Sequence, residues 1–119
     1  PNSVVPFHPV AYWVAADAGK AVGTIALCRL TDQKFALRKL FLAKHYRGTG
    51  VAAALLATLL DWARVNHVSE IYLGTMATFK AAQRFYEKNG FAKIERSELP
   101  HEFTVNPVDT VFYQLHMKN

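Results

Sequence analysis

Apolar and polar positions divide the chain into three consecutive strands and then alternating helices and strands. Residues 11–17 contain the strand formers Tyr12, Trp13 and Val14 and run into Asp17-Ala18-Gly19-Lys20, which has turn chemistry. Residues 21–30 read as a second strand, folded back on the first as a hairpin. After Thr31-Asp32-Gln33, residues 34–42 make a third, with Phe35, Leu37, Lys39 and Phe41 on one face. The three are expected to form an antiparallel meander.

From residue 51 the period lengthens. Leu55, Leu56, Leu59, Leu60, Trp62 and Ala63 recur at helical spacing in a run rich in alanine and leucine, which predicts a helix over 51–65. The short apolar run 71–74 reads as a buried strand parallel to the one before the helix, a right-handed crossover. A second helix is expected over 79–88, presenting Ala82, Phe85 and Tyr86 on neighbouring turns. Asn89-Gly90 ends it, with Gly90 suited to a left-handed cap. Residues 91–97 and 108–117 read as closing strands around a polar, proline-containing loop. The order β-β-β-α-β-α-β-β describes an α/β (α+β) fold, a mixed sheet with helices packed on it. The 119 residues suit one domain, 1–119.

Composition narrows the field only a little. With 51% hydrophobic and 19% charged residues, the balance is that of a folded globular chain. The longest apolar stretch, 51–60, contains Thr58 and ends at Asp61, too short to cross a bilayer, and no secretory signal is visible at the start. No membrane partner is therefore expected. Cys28 is the only cysteine, so no internal disulfide is possible and the cytoplasm is the default compartment. Within the strand-like run 24–30, Cys28 reads as a packed core thiol, since nothing nearby in sequence would lower its pKa. The formal charge of +5 and pI near 9.5 would suit a polyanionic small molecule, a nucleic acid or an acidic partner, or simply a solvated surface. The basic residues are scattered and the aromatics fall at core-like positions, so no nucleic-acid partner is expected.

Tyr46-Arg47-Gly48-Thr49-Gly50-Val51-Ala52 lies between an expected strand and an expected helix. Two glycines permit positive φ and a close approach to a ligand, while unpaired N–H groups of the first helical turn and the helix dipole favour an anion. A tight turn with an incidental arginine is the plainer alternative. No P-loop pattern exists. Gly48, Gly50 and Ala53 match the dinucleotide fingerprint, but the acid it needs about 20 residues on is missing: the next strand ends Leu73-Gly74-Thr75-Met76. The hairpin ahead of the loop is also foreign to that fold.

Arg47-Gly48-Thr49-Gly50-Val51-Ala52 resembles the Arg/Gln-x-x-Gly-x-Gly/Ala motif of GNAT acetyltransferases, and it follows Leu40-Phe41-Leu42 at that family's usual distance. Ala82-Gln83-Arg84-Phe85-Tyr86-Glu87-Lys88-Asn89-Gly90-Phe91 is similar to the family's Ala-x-x-hydrophobic-Tyr-x-x-x-Gly-Phe signature. The resemblance runs from about Ala11 to the C-terminus, and Leu99-Pro100 and Val108-Asp109-Thr110 are similar to segments of small bacterial members. It implies a GNAT-like, mostly antiparallel sheet flanked by helices, without the usual N-terminal strand and two helices, which wall the acceptor site. The chain begins at Pro1, so those elements would lie outside the sequence or be supplied by a partner.

The resemblance further implies acetyl transfer from acetyl-CoA, as cosubstrate and without a metal, to a small-molecule or peptide amine. The loop Arg47, Gly48, Thr49, Gly50, Val51 and Ala52 would hold the coenzyme pyrophosphate. The backbone around Leu40, Phe41 and Leu42 would pair with the pantetheine arm where two strands splay. Tyr86 would give a proton to the departing thiolate; its plainer alternative is a core aromatic on an amphipathic helix. Ala82 and Phe85 belong to the same signature, and Lys88 would meet phosphate near the adenosine end or stand as a solvated helix-end cation. Phe79 stands where many members have a coenzyme-binding asparagine. The base is unassigned: Ala36 occupies the position of a common acid, and Glu70 and His67 read as surface residues. A coenzyme-binding module without turnover is the alternative function, and a homodimer is compatible with either.

Overall fold

A computed structural model describes residues 9–117, the side chain of Lys39 excepted. Its strands are β1 (Pro9–Asp17), β2 (Lys20–Arg29), β3 (Lys34–Leu42), β4 (Glu70–Thr75), β5 (Ala92–Ile94) and β6 (Val111–His116), with helices α1 (Val51–Val65) and α2 (Lys80–Lys88). They form one mixed sheet in the order β1-β2-β3-β4-β6-β5. Ala18 and Gly19 both have positive φ (51° and 80°), the conformation of a two-residue hairpin turn whose twist matches the flanking strands. This turn sets the β1–β2 register through Asp17↔Lys20.

Both helices cover one face. Leu55, Leu56, Leu59 and Ala63 of α1 and Tyr86 of α2 pack with Ile25, Leu27, Phe35, Leu37, Ile71, Leu73 and Tyr113 in a single core. Each fully buried leucine there stabilises the fold by about 1.5–3 kcal/mol relative to exposure. Trp62 closes the far side, edge-on to Trp13 (6.1 Å) and Phe35 (6.2 Å). The opposite face has a smaller cluster, Ala36, Tyr72 and Phe103, formed where the loop 95–110 crosses the sheet. Among the described residues no helix is long and apolar enough to cross a membrane.

Three expectations change. Phe41 does not share the face of Phe35 and Leu37. Between Ala26↔Arg38 and Thr24↔Phe41, β2 advances two residues and β3 three, so β3 contains a bulge. The extra residue reverses the alternation: Leu40 packs against the helix-side core and Phe41 is left about half exposed. Lys39, expected on that same face, has a side chain outside the described residues. The closing strands are also shorter than their patterns suggested. Glu95 begins a capping box with Glu98, which turns residues 96–98 into a 3-10 helix instead of continuing β5. Val108, Asp109 and Thr110 precede β6 as loop.

The crossover creates the feature on which the site depends. β3 and β4 pair in parallel only at Lys34↔Glu70, Phe35↔Ile71 and Ala36↔Tyr72. Beyond these, β4 stays paired with β6 to Thr75↔Val111, whereas β3 stays paired with β2 to Gly23↔Leu42. The two halves of the sheet diverge, and β3 from Leu37 onward presents backbone that β4 does not satisfy.

Candidate active site

The chain leaves β3 through a short 3-10 turn, Lys44–Tyr46. The Tyr46 hydroxyl donates to Asp17 at the end of β1, and the Thr49 hydroxyl donates back to the Tyr46 carbonyl. These bonds fix the entrance and exit of the loop. Gly48 (φ 78°) and Gly50 (φ 90°) both lie in the left-handed region, and Gly50 is the N-cap of α1. A Cβ built on either would meet no atom within 4 Å. No acid stands in the first turn of α1. Its first N–H groups have no intrahelical acceptor, an arrangement that suits an anion.

Where β3 and β4 part there is a cleft of about 370 Å³. Leu37, Arg38 and Leu40 line one wall and Leu73, Gly74 and Thr75 the other. Met76, Phe79, Ala82 and Tyr86 come from the α2 side, and Asn106, Val108 and Asp109 from the loop before β6. Gln83, buried in α2, donates from Nε2 to the carbonyls of Met76 and Ala77 (both 3.0 Å) and so sets the turn from β4 into α2.

Tyr86 is buried against Phe91 (5.6 Å), Phe85 (5.7 Å) and Tyr113 (5.9 Å). Its hydroxyl makes no hydrogen bond with any described residue, although the residue lines the cleft. Burial, helped by the negative charge of Asp109, pushes its pKa well above the usual 10, so the phenol keeps its proton at neutral pH. Asp109 is itself raised above the ordinary carboxyl range by burial, which the charge of Arg38 only partly offsets.

A model of the acetyltransferase (GNAT) family matches residues 4–91. The chain is a member of the GNAT family. It is 35% identical over 108 residues, 87% of its length, to N-acetylaspartate synthetase of Danio rerio, of which it covers 38%. The chain thus spans about two fifths of the length of the N-acetylaspartate synthetases it matches. Among solved structures, a GNAT acetyltransferase from Staphylococcus aureus superposes with a TM-score of 0.87 at 38% identity, over 90% of this chain and 68% of that one. A GNAT acetyltransferase from Elizabethkingia anophelis with acetyl-CoA bound shares the fold at 14% identity, with a TM-score of 0.71 over 89% of this chain and 75% of the other.

On this GNAT fold the residues singled out from sequence separate into groups. Leu40, Phe79, Ala82 and Tyr86 line the cleft together. Arg47, Gly48, Thr49 and Gly50 form the exposed loop ahead of α1 and do not line the cleft, with Val51 and Ala52 half-buried in the first turn of α1. Phe41 faces solvent, Leu42 is half-buried at the end of β3, and Phe85 supports the Tyr86 ring from behind. Lys88 is exposed in the last turn of α2 and does not line the cleft. Glu70 lies at the opposite end of β4, where it accepts a hydrogen bond from Tyr72 and faces His116 at 3.7 Å. Sequence reasoning missed Arg38, Gln83 and Asp109. Only Asp109 carried any signal, through the similarity of its segment to small bacterial members.

Proposed function

We propose that this chain transfers an acetyl group from acetyl-CoA to the amino group of an acceptor by direct attack. The observation that carries this reading is the opening between β3 and β4, where an unpaired strand edge and a proton-bearing hydroxyl meet, with a glycine loop and a helix N-terminus following the same strand. The loop of Arg47 to Ala52 would cradle a pyrophosphate because Gly48 and Gly50 carry no side chains and the loop leads into a helix N-terminus. The free backbone of β3 around Leu40 and Leu42 suits an extended amide-containing arm, which would add to the sheet as a further strand. Phe79, half-exposed at the cleft, offers that arm an apolar surface, and Lys88 a charge for a phosphate at the adenosine end.

The chemistry follows from what lies at the bottom of the opening. Attack of an amine on the thioester carbonyl places negative charge on oxygen, and each backbone N–H aimed at it from the splayed strand is worth about 3–4 kcal/mol. Collapse expels a thiolate, which needs a proton. Tyr86 supplies it: its hydroxyl is protonated, unshared and within the cleft.

Calorimetric titration with acetyl-CoA, against ATP and NAD as controls, tests the reading, followed by release of free thiol when amines are added. Selective binding near micromolar affinity with amine-dependent thiol release is expected. Binding without release from any amine would leave a coenzyme-binding module, and no binding by the folded protein would end the proposal.

A further inference from the structure

Two oppositely charged side chains share the cleft and have no counterpart in the roles assigned above. Arg38 follows the bulge-free part of β3 on the face away from the helices. Its guanidinium lies 4.4 Å from the centroid of Phe103 and donates one hydrogen bond, to the Thr104 carbonyl (2.9 Å). A guanidinium has five donors in a fixed fork, so most of its hydrogen-bonding capacity is left over. Its burial disfavours the charged form, which the charges of Cys28 and Asp109 only partly offset, and it makes no ion pair within 4.0 Å with any described residue. Asp109 stands on the loop before β6, where its own N–H donates to the Asn106 carbonyl (2.9 Å) and the next N–H donates to the Thr75 carbonyl (3.1 Å). Its carboxylate accepts no hydrogen bond from a described residue and packs over Gly74. A Cβ on Gly74 would stand 3.0 Å from Asp109 Oδ2, so glycine at this point of β4 lets the carboxylate lie against the strand.

A cation and an anion facing one cavity without contacting each other make a site for a group bearing both charges in reverse. Resting on the acetyltransferase reading, we propose that Arg38 and Asp109 form the acceptor subsite, and that the acceptor is an amine carrying a carboxylate, as in an amino acid. Arg38 pairs with the carboxylate in the bidentate geometry that suits a guanidinium. Asp109 receives the ammonium group. A second hollow, lined by Lys93, Glu95 and Arg96 among others, also reaches Asp109.

The proton and electron count closes around Asp109 and Tyr86. Asp109 takes one proton from the acceptor ammonium, and the nitrogen lone pair then forms the new C–N bond as the carbonyl π pair moves to oxygen. That pair returns as the C–S bond breaks with its electrons on sulfur, and the Tyr86 hydroxyl protonates the thiolate. The nitrogen loses its second proton, which restores the Tyr86 hydroxyl, and Asp109 releases the first to solvent. One proton is set free per acetyl group transferred. The raised proton affinity of Asp109 narrows the gap between it and an amine.

The test compares the standard L-amino acids with their carboxamides as acceptors for the full chain, read by thiol release at saturating acetyl-CoA. The wild type is expected to acetylate at least one amino acid and to use its amide at least about tenfold less well in kcat/KM. The amide's amine is the less basic, so protonation state cannot produce that preference. Arg38→Gln should raise KM for the amino acid at least about tenfold and level the pair, while acetyl-CoA affinity by calorimetry is unchanged. Asp109→Asn should lower kcat at least about tenfold, again with coenzyme affinity intact. Where Arg38→Gln fails to fold, the wild-type comparison still decides. Equal use of amide and acid, acetylation of neither while acetyl-CoA binds, or full kcat in folded Asp109→Asn overturns the subsite. Failure of acetyl-CoA to bind at all removes the acetyltransferase reading as well.

Discussion

Replacing Tyr86 by phenylalanine separates the catalytic reading of this residue from a structural one, because the proposal gives the ring and the hydroxyl different tasks. The ring is packed among Phe85, Phe91 and Tyr113 at 5.6–5.9 Å, and phenylalanine preserves those contacts. The hydroxyl has no partner among the described residues, so its removal orphans no donor or acceptor. Stability should therefore stay within about 0.5 kcal/mol of the wild type, against about 3–5 kcal/mol lost by aromatic truncation to alanine. Turnover should fall at least about tenfold, and by about 10²–10⁴ if the hydroxyl carries a full general-acid role. That range corresponds to about 2.7–5.5 kcal/mol of barrier. Because burial holds the phenol protonated, wild-type kcat should show no alkaline loss attributable to Tyr86 through neutral and mildly basic pH. Thiol release at saturating acetyl-CoA, thermal unfolding and calorimetric coenzyme affinity together make the assay. Undiminished turnover in the folded variant refutes the proton-donor role, and a parallel fall in melting temperature refutes the packing argument.

Three further outcomes follow from other parts of the site. Gly50→Val places a β-branched residue at φ 90°, which costs more than the roughly 1–2 kcal/mol of an ordinary left-handed residue, and should abolish acetyl-CoA binding; unaltered affinity in a folded variant would remove the cradle from the coenzyme site. Gln83→Ala leaves the Met76 and Ala77 carbonyls without their donor, and unfolding experiments should show a loss of about 1–3 kcal/mol. Asp109→Asn should cost activity without stability. The folded-state pKa of Asp109 is raised, so its contribution is fully present below the unfolded carboxyl pKa and is lost as pH rises through the folded value. The melting temperature of the wild type should consequently fall relative to the asparagine variant as pH rises from about 4 towards neutral, and a gap moving the other way would show that the carboxylate is stabilised in the fold.

The local order of the chain determined much of this protein. The third strand and first helix occupy the residues their periodicities indicate, Lys34–Leu42 and Val51–Val65, and Gly90 ends α2 with φ 94°. The glycine loop was legible as one of two readings of a contiguous pattern, from its backbone requirement, whereas the tyrosine of α2 stood out only through the resemblance of its helix to the family signature. Tertiary structure alone decided the rest. The β3 bulge that turns Phe41 outward arises from pairing with β2, and the β3–β4 opening arises because β4 follows β6 rather than β3. Arg38 and Asp109 are 71 positions apart in sequence (109 − 38) and share a cleft only because the loop 95–110 folds across the sheet. A charged side chain on a strand or loop carries no periodic signal. What it can do is set by which other charge the fold brings beside it, and by how much water the fold removes from between them.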